Sequence, residues 1–337
     1  MENLYGITRF NLEKYFISIN EKKFKAEQIY DWIYIKRIQN FDDMRNVKKE
    51  VINKLKEKYS LEKINIIKKE EDIGVKKYLF ELDDKNKVEA VIMFHEYGNS
   101  LCISTQVGCN MGCLFCESGK LKCVRNLKTF EMIEQILLVE SDINDRISHI
   151  VLMGIGEPFD NYDNVMDFIK IVNDKKGIDI GARHITVSTC GIIPKIEKFM
   201  NEKMQVNLAI SLHAANDELR NRLMPINKVY NLDKLIDIIK KYIKKTNRRV
   251  TFEYVMIKDI NDSKKHALEL VELLKGINCY VNLIPYNETS NSKYSRSETG
   301  KILEFYDIMK KNNIQSTIRK EFGNNVTAAC GQLRANN

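Results

Sequence analysis

The chain has 337 residues, of which 44% are hydrophobic and 30% charged, and its formal net charge is +8. That composition excludes a disordered chain, and no apolar run approaches the roughly 20 residues a membrane helix needs. The length suits one large catalytic domain with a smaller companion, and the charge favours a polyanionic partner without proving one.

The first residues, Met1-Glu2-Asn3-Leu4-Tyr5, lack the basic start and apolar stretch of a secretory signal, so a cytoplasmic location is expected. Up to about residue 60 the pattern is helical, with Phe24, Ile29, Trp32, Ile33 and Leu55 at helix spacing among Lys and Glu. Residues 1–70 carry 16 basic and 11 acidic side chains. Lys22, Lys23, Lys25, Lys36 and Arg37 lie beside Tyr30, Trp32 and Tyr34, a mixture that suits phosphate contact and base stacking. The plainer reading is a solvated helix face. Residues 77–82 and 88–94 read as two strands joined by the polar turn Asp83-Asp84-Lys85-Asn86.

From about residue 100, strands alternate with helices. Strands are predicted at 101–106, 148–153, 184–189, 206–212, 249–257 and 280–285, and helices at 129–140, 162–173, 232–244, 263–275 and 298–312. Six such units point to a parallel α/β architecture, an open or partial barrel rather than a closed eight-fold one. Polar and glycine-rich segments follow the strands: Gly108 to Gly119, Gly154 to Pro158, Ser188 to Gly191, Ser211 to His213, and Asn287. Strand C-terminal ends are where such folds carry out chemistry.

Eight cysteines are present, five of them between residues 102 and 123. In a chain of this kind that density points to metal or redox chemistry rather than disulfides. Cys109-x-x-x-Cys113-x-x-Cys116 offers three thiolates from one loop. A cubane iron–sulfur cluster has four irons, so three thiolates leave one iron open to a substrate. The alternative is structural zinc, with Cys123 as a fourth ligand. A second basic segment, Lys120, Lys122, Arg125 and Lys128, follows the loop.

The cysteine spacing resembles the radical S-adenosylmethionine (SAM) superfamily. Further segments resemble one branch of it. These are Ser104 to Cys116, Met153-Gly154-Ile155-Gly156-Glu157-Pro158, Ile210 to Ala214, Met224-Pro225-Ile226-Asn227, Asn282 to Asn287 and Ala328-Ala329-Cys330-Gly331-Gln332-Leu333. With Phe24 to Trp32 and Phe41 to Met44 at the N-terminus, they are similar to the RlmN/Cfr family of RNA adenine methyltransferases along nearly the whole chain.

The resemblance implies an α/β fold, a partial (β/α)6 radical-SAM barrel with a small N-terminal helical domain and a β extension. The expected domains are 1–60, helical and RNA-binding; 61–98, the β extension; 99–320, the barrel; and 321–337, a tail carrying a methyl-accepting cysteine. It implies a [4Fe-4S] cluster on Cys109, Cys113 and Cys116, and a SAM site lined by Gly156, Glu157, Ser188, Ser211, Leu212, His213 and Asn287. Phe115 is expected over the adenine of SAM. Two SAM molecules serve each turnover: one methylates Cys330, the other supplies a radical that activates the methyl group for addition to adenine. Glu89 is the implied proton acceptor. Cys102 is the implied resolving thiol, leaving a Cys102–Cys330 disulfide. Taken alone, Cys102 reads as a core thiol, Cys330 as incidental and Glu89 as an exposed strand residue; Cys190 and Cys279 read as structural. The implied partners are RNA (23S ribosomal RNA, and tRNA as a further candidate) and an electron donor such as flavodoxin or ferredoxin, with the protein monomeric. Gly156-Glu157-Pro158 favours methylation at C2 of adenine. The alternatives are C8 methylation of the antibiotic-resistance type, a different radical-SAM activity such as glycyl-radical activation, and a non-enzymatic iron–sulfur RNA-binding protein. Glu117-Ser118 after the third cysteine and Cys190, where Ser or another small residue is usual, depart from the family pattern.

Overall fold

The structure, a computed structural model, describes residues 1–288, 293–319 and 331–333. The N-terminal segment holds a two-residue strand β1 (Glu2–Asn3) and the helices α1 (Arg9–Ser18), α2 (Lys25–Tyr30) and α3 (Lys49–Lys58). The short strand β2 (Tyr59–Ser60) returns to pair with β1. Thr8 starts α1 by accepting the N–H of Asn11, which satisfies one of the donors a helix start leaves open. A π turn over Asp31–Ile35 continues α2.

Four antiparallel strands follow: β3 (Asn65–Asp72), β4 (Val75–Glu81), β5 (Lys87–His95) and β6 (Gly98–Cys102). The strand at β3 goes beyond the expected pair. Its sequence, Asn-Ile-Ile-Lys-Lys-Glu-Glu-Asp, has no apolar alternation because it is the sheet edge. Its Glu70 and Glu71 pair in register with Lys77 and Lys76 of β4, so charge covers an otherwise sticky edge. The tiny hairpin β7 (Gln106–Val107) and β8 (Arg125–Asn126) brackets the cysteine loop.

The rest alternates: α4 (Thr129–Ile143), β9 (Ile147–Leu152), α5 (Tyr162–Asn173), β10 (Ile185–Thr189), α6 (Ile193–Phe199), β11 (Asn207–Ser211), α7 (Asp217–Leu223), α8 (Leu232–Thr246), β12 (Val250–Met256), α9 (Lys264–Leu274), β13 (Cys279–Pro285), α10 (Thr299–Lys311) and β14 (Ser316–Ile318). One ten-stranded sheet runs in the order β14-β13-β12-β11-β10-β9-β6-β5-β4-β3. From β6 to β14 the pairs are parallel, and from β6 to β3 antiparallel. The six expected barrel strands are therefore joined by a short seventh at the far edge, and the β extension continues the same sheet. The first barrel strand ends at Cys102, earlier than its predicted end at 106. There the chain turns away: Ser104 Oγ donates to the Glu89 carbonyl at 2.6 Å, and Gln135 bonds both backbone groups of Ser104.

Candidate active site

The C-terminal ends of the parallel strands open into a cleft enclosing about 900 Å3 not filled by protein atoms, part of it open to solvent. Cys109, Cys113 and Cys116 line one wall, on the loop between β7 and β8. The loop is wound tightly. Gly108 has a positive φ of 76°, and a Cβ there would fall 2.2 Å from the Lys122 carbonyl oxygen. Cys109 N–H donates to Leu121 O at 3.0 Å, and Cys116 N–H donates to Cys113 O at 3.2 Å.

Gly156, Glu157, Ser188, Ser211 and His213 line the same cleft, at the ends of β9, β10 and β11. Gly156 has a φ of 108°, and any Cβ would collide with Gln106. The buried Glu157 carboxylate accepts the N–H groups of Phe159 at 3.0 Å and Cys190 at 2.8 Å, which ties the β9 loop to the end of β10. Burial raises its pKa against these hydrogen bonds. His213 sits at φ 58° with its Nδ1 accepting the Val255 N–H, so the imidazole is held neutral. Phe115 packs edge-on against it, ring centroids 4.6 Å apart.

Leu212 is buried and outside the cleft lining; its carbonyl accepts from Arg220. Asn287 also lies outside the lining, one residue after Tyr286, which is part of it. Glu89 is buried on β5, beyond the cleft wall, with Lys77 Nζ at 3.4 Å. Cys102 is buried in a small apolar cluster with Val91, Ile155 and Leu333. Cys330, and with it the implied Cys102–Cys330 pairing, lies outside the described residues. Its neighbour Gly331 lines the cleft and accepts the Glu117 N–H at 2.8 Å, while Leu333 O accepts from Ser118 Oγ at 2.6 Å. No two described cysteines are joined by a disulfide.

Met111, Met153 and Met224 lie in motif segments but had no role assigned from the sequence, and Glu253 and Arg319 carried no signal at all; all five line the cleft. Cys190, expected to be structural, also lines the cleft, with its Sγ 3.3 Å from Met111 Sδ. Cys279 is buried, as expected. Behind the wall, fully buried Arg220 donates to the carbonyls of Cys190, Ser211 and Leu212 and to Asn227 Oδ1. It fastens the ends of β10 and β11 to the turn after α7.

The residues fit an iron–sulfur cluster with SAM. Among the described residues no three His, Cys, Asp or Glu side chains are placed to grip one metal ion. The three thiols line one cleft, and a cluster would give one iron to each thiolate. Cys123, the extra ligand of the zinc alternative, is not part of that lining. Burial pushes the Cys109 thiol up to about 12 and Cys113 well above its ordinary value. Bare thiols there keep their protons, and only a bound cation reverses that. Across the cleft, buried Glu253 Oε2 has no hydrogen-bond partner among the described residues, an acceptor for a ligand bearing N–H or O–H groups.

The radical-SAM superfamily model matches residues 103–271, and the model of the ribosomal RNA large subunit methyltransferase N-terminal domain matches residues 2–61. A probable dual-specificity RNA methyltransferase RlmN from Spiroplasma citri is 51% identical over 100% of this chain and 98% of its own length. One from Enterococcus faecalis is 51% identical over 99% of this chain and 96% of its own length. The chain belongs to the RlmN family of radical-SAM RNA methyltransferases. The crystal structure of a radical-SAM methyltransferase from Sphaerobacter thermophilus superposes with a TM-score of 0.93, at 37% identity and full coverage of both chains. The α/β radical-SAM architecture expected from the sequence is thus the one observed.

For an RlmN-family member the polyanion-facing surface is narrower than the sequence implied. Tyr30 and Tyr34 are buried, with their hydroxyls donating to the carbonyls of Ile7 and Tyr5, so neither stacks on a base. Lys25, Lys36 and Arg37 are paired with Glu21, Asp31 and Glu140. Arg125 is held between Asp84 and Glu131, and Lys120 by Glu117. Lys22 and Lys23 stay exposed. No helix among the described residues is long and apolar enough to cross a membrane.

Proposed function

We propose that this chain methylates C2 of an adenine in 23S ribosomal RNA, with tRNA as a second substrate, by way of a methylated Cys330 and a covalent protein–RNA link. The observation that carries the reading is the docking of Gly331, next to Cys330, into the cleft lined by Cys109, Cys113, Cys116, Glu157, Ser188, Ser211 and His213. The relatives' printed description as dual-specificity RNA methyltransferases supports two RNA classes.

When bound, the [4Fe-4S] cluster, fed by an electron donor of the flavodoxin or ferredoxin type, supplies electrons, and two SAM molecules per turnover supply the methyl group and the radical. Cys109, Cys113 and Cys116 would hold the cluster. Gly156, Glu157, Ser188, Ser211, Leu212, His213 and Asn287 would shape the SAM site, Leu212 and Asn287 from just outside its wall. Cys330 carries the methyl group on its sulfur and through it becomes linked to the base. Glu89 takes the ring proton, which requires its contact with Lys77 to open. The Cys102 thiolate then attacks the Cys330 sulfur. The bond from that sulfur to the methyl-derived carbon breaks with its electron pair staying on the carbon side, a Cys102–Cys330 disulfide forms, the carbon takes a proton from solvent to become the methyl group, and the methylated RNA leaves. Packing of Cys102 against Leu333 keeps the resolving thiol close to the tail that bears its partner.

Nucleoside mass spectrometry of ribosomal RNA and tRNA from cells lacking and overexpressing the gene tests the assignment. The expected result is 2-methyladenosine that follows gene dosage in both fractions. 8-Methyladenosine would overturn the C2 assignment, and no change in either would overturn the RNA reading. Cys102→Ala is expected to accumulate a protein–RNA adduct that Cys330→Ala does not form.

A further inference from the structure

The opposite end of the barrel holds a second concavity. It lies where β10, β11 and β12 begin and is lined by Arg183, Thr186, Gln205, Asn207, Thr246, Asn247, Arg248, Arg249 and Thr251, with no acidic residue. The seven-residue strand β12 separates it from the cleft end of the sheet by about 20 Å.

Like Arg220 behind the cleft wall, the three guanidinium groups here meet no carboxylate among the described residues. Arg9, Arg125 and Arg146 all meet carboxylates. Arg183, Arg248 and Arg249 bond only neutral acceptors among the described residues. Arg183 Nε donates to Gln205 Oε1 at 2.9 Å. Arg248 donates to Gln205 O at 2.9 Å, Asn207 Oδ1 at 3.2 Å and the Tyr242 hydroxyl at 3.4 Å. Arg249 donates to Gln315 Oε1 at 3.1 Å and stacks over the Tyr280 ring at 4.8 Å. Arg183 and Arg249 are exposed and Arg248 is half-buried between them and the strand ends, and like charges lining one concavity repel one another. Burial and the nearby Arg183 charge both lower the Arg248 pKa. An anion cancels that repulsion, and planar guanidinium forks beside hydroxyl and amide donors match the oxygens of a tetrahedral anion.

We propose that this mouth binds a phosphate-class oxyanion, at a site distinct from the methyl-transfer cleft. The Thr186 and Thr251 hydroxyls and the Asn247 amide supply donors to oxygens that the arginines leave unfilled, while Thr246 and Asn207 are engaged with Tyr242 O and Arg183 O. Two sources share this chemistry: a free phosphate or phosphomonoester, and a phosphodiester of bound RNA. Thr186 and Thr251 also line a neighbouring cavity with Ser100, Asn282 and Thr317.

Calorimetric titration of the full chain with inorganic phosphate tests the site. Saturable binding is expected, weakened about tenfold or more in Arg183→Gln and in Arg248→Gln. Arg183 is exposed, so its replacement leaves the fold intact even if Arg248→Gln does not, and circular dichroism checks both. No saturable binding by the natural chain, or natural affinity in Arg183→Gln, overturns the proposal. A short oligouridylate, which carries no adenine to methylate, separates the sources. If it competes with phosphate the site takes the RNA backbone, and if it does not the occupant is a free phosphate compound. Neither result depends on methyl transfer.

Discussion

His213 shows how a single residue is set by its surroundings. Its left-handed φ of 58° turns the end of β11 into the cleft, and Nδ1 fixes the turn by accepting the Val255 N–H. Burial, reinforced by the Arg220 charge, pushes its pKa down to about 3. An unfolded histidine titrates near 6.5, so as pH falls below that value the unfolded chain takes up a proton that the folded chain refuses. Folding stability therefore drops by about 1.4 kcal/mol per pH unit from this group, over the range between the two values. Asparagine tolerates positive φ and cannot titrate. In apoprotein urea unfolding, the midpoint of the natural chain is expected to fall more steeply than that of His213→Asn between about pH 6.5 and pH 5. Parallel slopes would place the proton uptake elsewhere. The histidine was legible as part of Ser211-Leu212-His213. Arg220 was not: it looks like any basic residue of α7, and Arg222, two positions on, is exposed. Only the convergence of three carbonyls and Asn227 on its guanidinium gives it a role.

Among the elements, α8 reads clearly from sequence because its chemistry is local. Asn231 caps its start by accepting the Lys234 N–H, Asn247 closes its end in the left-handed region, and Leu232, Leu235, Ile236, Ile238, Ile239 and Tyr242 form the buried stripe. Asn231→Ala is expected to cost about 1 kcal/mol in urea unfolding while leaving the methylation rate per folded molecule unchanged. A loss of rate at unchanged stability would mean that α8 shapes the cleft directly. The edge strands β3 and β14 were not legible. A strand shows in sequence when one face is buried, and β3 buries little of either face. Its position is set by register against β4, with Lys opposite Glu, which is a long-range property.

For the whole molecule, the N-terminal helices and the barrel share one continuous core. Leu4, Tyr5, Leu12, Phe16, Ile29 and Leu55 belong to the same buried cluster as Phe130, Ile133 and Val165. Gly6 lies so close to α4 that a Cβ would meet the Phe130 nitrogen at 3.0 Å, and Arg9 reaches Asp174 at 2.7 Å. Each buried apolar side chain of that interface contributes about 1.5–3 kcal/mol. Deleting residues 1–61 is thus expected to yield an aggregating barrel rather than a folded one that merely lacks RNA affinity. Size-exclusion chromatography with SAM titration checks this, and a monodisperse, SAM-binding truncation would refute the shared core.

The cysteine loop, the glycine-rich strand ends, the α/β alternation and the family were all readable from the linear chain, because each depends on residue type and spacing within a few turns of backbone. The tertiary structure alone decided that Cys190, Glu253 and Arg319 belong to the cleft, that Tyr30 and Tyr34 are core, and that Lys25, Lys36 and Arg37 are paired with carboxylates. Those outcomes depend on partners brought together from distant strands and helices, and on burial, which no local pattern encodes.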